Sequence, residues 1–177
     1  MGIPTNIREF LDREGAQYQM LHHHRTSTLS EAAEACNMPL NQLVRAVILV
    51  DGQGLLMAVL PADHVLDFSA LFELLHRNLE LVPGNQLATI FDQCEPRSYP
   101  PLAPVYNLDV IVDSSLDDLD IITFEPGSHT TLLQVDASQY RKLMGKMLSG
   151  CFSRPAYTLR SDHRHNPEEL SDVVDQF

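Results

Sequence analysis

The segment Leu43-Val44-Arg45-Ala46-Val47-Ile48-Leu49-Val50 is β-branched and almost wholly apolar. It meets Asp51-Gly52-Gln53-Gly54 and resumes as Leu55-Leu56-Met57-Ala58-Val59-Leu60. Two such runs around a turn predict two buried strands joined as a hairpin. Arg45 is the one charge inside the first run. Burying a lone charge is costly, so Arg45 must find a partner or face a wet cavity.

The remaining pattern supplies helices for that hairpin. Ile7, Phe10 and Leu11 have helical spacing, which predicts a helix over about residues 6 to 14 with Asn6 as N-cap and Gly15 as its stop. Tyr18 to His22 reads as a short strand, and Ser30 as the cap of a helix that ends before Pro39. Asp67 or Ser69 caps a helix carrying Leu71, Phe72, Leu74 and Leu75, and residues 87 to 91 form a short helical segment. Residues 94 to 104 make an irregular, proline-rich loop. Val110 to Asp113, Ile121 to Phe124 and Thr131 to Val135 read as strands, Gly127 as a turn, and Ala137 to Leu148 as a closing helix. Hairpins are too frequent for a doubly wound parallel sheet, so the predicted class is α+β: a mixed, largely antiparallel sheet with helices packed on it. Residues 1–150 form one domain. Residues 151–177 form a polar C-terminal tail with a short helix starting at Asn166-Pro167-Glu168-Glu169.

With 177 residues the chain suits one domain that needs neither disulfides nor metal. Cys36, Cys94 and Cys151 are odd in number and widely spaced, which predicts reduced thiols. No stretch approaches a membrane span, and the N-terminus lacks a signal pattern, so the expected location is the cytoplasm. Twelve Lys and Arg against 24 Asp and Glu give a net charge of -12. That balance opposes non-specific binding to a phosphate backbone, DNA included, and confines any nucleic-acid contact to a local patch or to help from a partner.

Several chemistries lack their residues. His22-His23-His24 points in alternating directions along a strand with no nearby Cys or carboxylate, so no metal site is expected. There is no GxSxG elbow, Walker loop or dinucleotide fingerprint, and no cofactor is implied. Asp117, Asp118 and Asp120 read as solvated turn charges.

What stands out is the order of separated segments. His23 precedes Thr28 and Glu31-Ala32-Ala33, and Arg45 sits in a strand. Cys94-Glu95-Pro96-Arg97-Ser98-Tyr99-Pro100-Pro101-Leu102-Ala103 leads to Tyr106 and Val112-Asp113, and Phe124-Glu125-Pro126-Gly127-Ser128-His129-Thr130 follows. Over roughly residues 7 to 148 this arrangement resembles the YbaK/prolyl-tRNA synthetase associated domain family, free-standing domains that hydrolyse mischarged aminoacyl-tRNA. The resemblance implies a trans-acting aminoacyl-tRNA deacylase, a carboxylic ester hydrolase of translation fidelity. Its partner would be the acceptor end of aminoacyl-tRNA, with a synthetase or elongation factor supplying further contacts. It implies a pocket in which Arg45 and the loop amides near Ser98 and Tyr99 stabilise charge around a substrate-positioned water. His23, Thr28, Arg97, Pro100, Pro101, Gly127, Ser128 and His129 would line the substrate.

Three positions depart from the family pattern. Arg45 stands where the family has lysine; it keeps the charge but cannot shuttle a proton. Arg97 stands where the loop has glycine, a residue free to take positive φ, and Ala103 replaces a second glycine. If Arg97 folds inward, two guanidiniums require Glu95, Asp113 or a ligand anion between them. The alternative to an enzyme is a catalytically reduced binding module that keeps the pocket for a small ligand or protein partner.

Overall fold

The computed structural model describes residues 2–158. Helix α1 (Thr5–Arg13) is followed by strand β1 (Gln19–His22) and helix α2 (Leu29–Ala35). The hairpin forms as expected, from β2 (Val44–Asp51) and β3 (Gly54–Pro61), paired from Val44 with Pro61 to Asp51 with Gly54. Next come β4 (His64–Leu66), α3 (Phe68–Leu75), β5 (Glu80–Leu81) and α4 (Gly84–Ile90). The second half contains β6 (Asp109–Asp113), β7 (Ile121–Phe124), β8 (Thr131–Asp136), α5 (Ala137–Met144), β9 (Leu148–Gly150) and β10 (Ser153–Pro155).

The main sheet has the order β5-β2-β3-β6-β9, antiparallel up to β3 and parallel from β3 to β6 and β9. An antiparallel sheet β1-β8-β7 and a pair β10-β4 complete a mixed α+β fold. Strand β3 carries no polar alternation because both of its faces are covered. Met57 and Val59 pack with Ile7, Leu11, Tyr140 and Leu143 on the side of α1 and α5, while Leu56, Ala58 and Leu60 pack with Leu71 of α3 and Phe152.

Local expectations differ from the structure in three places. Helix α1 starts after Pro4, and Asn6 lies inside it with Oδ1 accepting from the Ile7 amide. The cap of α2 is Thr28 rather than Ser30: Thr28 Oγ1 accepts from the Glu31 amide while Glu31 accepts from the Ser27 amide, a reciprocal arrangement that Ser30 lacks. The closing helix stops at Met144 because Gly145 takes φ +63, and Leu148–Gly150 leaves as a strand beside β6. The tail helix expected from Asn166 lies outside the described residues.

Candidate active site

Strand β5 pairs only with Leu49 and Val50, which leaves the first half of β2 as an open edge. An isolated parallel bridge joins Leu43, just ahead of β2, to Thr123 of β7. Two residues beyond on each chain stand Arg45 and Glu125, and both line a cleft of about 250 Å³ that opens there. Its walls are apolar where Val44, Ile48, Val82 and Leu87 contribute, and polar where Arg45, Arg97, Tyr99 and Glu125 do. Among the described residues no group of three His, Cys, Asp or Glu side chains is placed to hold a metal ion.

Arg45 answers the demand set by its strand: Nη2 donates to the His64 carbonyl at 2.7 Å and the side chain borders the cleft. Burial pulls its guanidinium down to about 10, so it is still a cation at neutral pH. Arg97 takes φ +71, the left-handed backbone that favours glycine. Its exposed side chain lines the cleft and makes no hydrogen bond or ion pair among the described residues. Neither expected carboxylate serves it. Glu95 accepts from Arg25 Nη1 at 2.6 Å and from the His129 amide at 2.5 Å. Asp113 accepts from the Ser115 and Phe152 amides. Exposure leaves Arg97 solvated, so the proximity of two guanidiniums needs no protein anion between them.

The structure thus brings Arg45, Arg97 and Tyr99 to one cleft, and the other expected residues are not among those that line it. Thr28 is spent on the cap of α2. Pro100 is buried, and the Pro101 carbonyl accepts from Tyr140 Oη at 2.6 Å. Gly127 has φ +99 and packs against Pro4 and Cys94, while its carbonyl accepts from the Glu95 amide at 2.9 Å. Ser128 Oγ meets Thr130 Oγ1 at 2.9 Å. His129 ties the two loops together: Nε2 donates to the Pro96 carbonyl at 2.8 Å, and Nδ1 lies 3.3 Å from Glu125 Oε1. Burial would raise the Glu95 carboxyl, but the His129 amide and Arg25 hold it below the usual carboxylate range.

Glu125 is the site residue that sequence reasoning missed. It is buried, yet it borders the cleft. Burial pushes its carboxyl up, against the opposing pull of His129, Ser98 and His23. Ser98 Oγ is wholly buried without a partner at hydrogen-bond length, though it stands close enough to Glu125 to favour the charged form. His23 Nδ1 donates to the His24 carbonyl at 2.7 Å, and its Nε2 is buried without a hydrogen-bond partner among the described residues.

The fold is thus a mixed α+β sheet whose open strand edge forms one wall of a small cleft lined by two arginines, a tyrosine and a glutamate. The chain belongs to the aminoacyl-tRNA editing domain family, whose model matches residues 23–143. No curated protein matches it. Among solved structures it is similar to a hypothetical protein with a TM-score of 0.74 at 22% identity, over 84% of this chain and 99% of the other. It is also similar to a proposed trans-editing enzyme for prolyl-tRNA synthetase, with a TM-score of 0.74 at 17% identity over 86% and 99%. A third relative is a proposed signal transduction protein from Marinobacter aquaeolei VT8, with a TM-score of 0.73 at 21% identity; the match covers 89% of this chain but 32% of that one. At these identities the likeness shows the fold. Among the described residues no helix is long and apolar enough to cross a membrane.

Proposed function

We propose that this chain is a trans-acting aminoacyl-tRNA deacylase that hydrolyses the ester of mischarged tRNA. The observation that carries the reading is the cleft itself: Arg45, Arg97, Tyr99 and Glu125 converge on an apolar-walled space sized for an amino acid and its ester. Ester hydrolysis develops negative charge on the carbonyl oxygen, and a cation beside a partly dry cleft stabilises that charge. Arg45 suits this role because its strand and the His64 carbonyl fix it. The loop amides near Ser98 and Tyr99 would serve as further donors, with the acyl side chain against Val44, Ile48 and Val82. Contacts to tRNA are confined to the acceptor end, and a synthetase or elongation factor supplies the rest, since a chain of net charge -12 has little to offer a phosphate backbone.

The test is single-turnover loss of the aminoacyl ester from a panel of mischarged tRNAs, with Arg45→Ala as control. Hydrolysis of at least one member, reduced about 100-fold by the control, is the expected result. Tight binding without turnover would favour a binding module, a reading kept open by Arg97 in the loop where the family carries glycine.

A further inference from the structure

The proton count around His129 leads beyond this reading. A carbonyl can only accept, so the contact of Nε2 with Pro96 places a proton on Nε2. In the neutral ring Nδ1 is then a lone pair, and its contact with Glu125 Oε1 needs a proton from one side or the other. Glu125 and His129 therefore share a proton, as imidazolium with carboxylate or as neutral ring with carboxylic acid. Such a couple exchanges protons readily, and Glu125 presents it to the cleft.

Two further groups act on Glu125: Ser98 and His23 stand near enough to favour its charged form against burial. The groups facing Glu125 are His129 from the turn after β7, His23 after β1 and Ser98 from the proline loop; Arg45, Arg97 and Tyr99 share its cleft.

We infer that Glu125 is the general base of the site, activating a water in the cleft it borders, and that His129 is a positioning residue that fixes the carboxyl group. The inference rests on the deacylase reading. Glu125 takes a proton from the water as the water oxygen bonds to the ester carbonyl carbon. The tetrahedral adduct then collapses, the bond from carbon to ribose oxygen breaks, and the ribose oxygen receives that proton from Glu125. The products are the free amino acid and the uncharged tRNA terminus, and Glu125 ends as it began. Burial pushes the Glu125 carboxyl up, which makes it a stronger base once it is ionised.

The experiment is single-turnover deacylation across pH 5 to 9 by wild type, Glu125→Gln, Glu125→Asp and His129→Gln, with melting curves for each. A positioned base contributes roughly 100-fold or more, so Glu125→Gln should lose at least that and its remaining rate should no longer rise with pH through the acid limb. Glu125→Asp should recover part of the rate with the limb retained. His129 favours the charged form of Glu125, so His129→Gln should move the limb to higher pH in a folded protein. An active wild type with Glu125→Gln folded, within threefold of its rate and on the same pH profile overturns the base assignment and leaves the deacylase standing. Glu125→Gln and Glu125→Asp both melting far below wild type, with rates restored at low temperature, would make Glu125 a structural residue and also overturn it. A wild type that hydrolyses no member of the panel overturns the deacylase reading and the base with it.

Discussion

Gly127→Ala isolates what holds the proline loop to the turn before β8. The Cβ would lie 2.7 Å from Pro4 Cγ and 2.8 Å from Cys94 Sγ, on a backbone at φ +99. The left-handed backbone costs an L-residue about 1–2 kcal/mol, and forcing a methyl into packed neighbours costs about 1–3 kcal/mol more. The sum is about 2–5 kcal/mol, or roughly 4–20 °C of melting temperature for a chain of this size. Gly15→Ala is the control, since Gly15 has φ +61 with nothing within 4 Å of its Cβ and carries only the backbone part. Thermal melts followed by circular dichroism read both variants. The reasoning is refuted if Gly127→Ala melts within a degree of Gly15→Ala, because the contacts with Pro4 and Cys94 would then cost nothing.

Tyr140→Phe should cost about 1–2 kcal/mol in urea unfolding, because the buried Pro101 carbonyl loses its one side-chain donor; an unchanged midpoint would show that the loop re-pairs freely. Burial works against the Asp113 charge, yet Ser115 and the Phe152 amide hold its carboxyl below the usual carboxylate range. Its folded pKa is thus lower than its unfolded one, so its stabilisation is present above pH of about 4 and is lost as pH falls through the folded value. Asp113→Asn should lower stability at pH 7 by about 2–3 kcal/mol and flatten its fall below about pH 4, as read by denaturant melts at each pH.

Continuity of apolar residues made the hairpin of β2 and β3 legible, and the same continuity marked Arg45 as a charge that needed a setting. Local signals failed where two choices competed. Thr28 and Ser30 are both capping residues, and only the reach of Glu31 back to Ser27 separates them. The closing helix keeps plausible spacing past Gly145, and its end is set by pairing with β6, which no local pattern records. Glu125 was hidden for the same reason. Between Phe124 and Pro126 a carboxylate reads as a turn charge, and its burial follows from a bridge between residues 43 and 123, far apart in sequence. Arg97 shows the converse: its place in the loop was legible, while its positive φ, a shape that bulky residues avoid, required the backbone.

The pairings of the outer strands set the order in which the domain can form. Strand β1 finds its partner in β8, more than a hundred residues later, with Gln19 opposite Gln134. Phe152, which fills the core beneath α3, comes later still, between β9 and β10. During synthesis the hairpin emerges early, with Leu56, Ala58 and Leu60 lacking the Phe152 side chain that covers them. Such distant contacts fold slowly, because loop closure must precede their reward. The domain therefore closes only once β8 and Phe152 are in place, and until then the hairpin's face toward α3 lacks its cover.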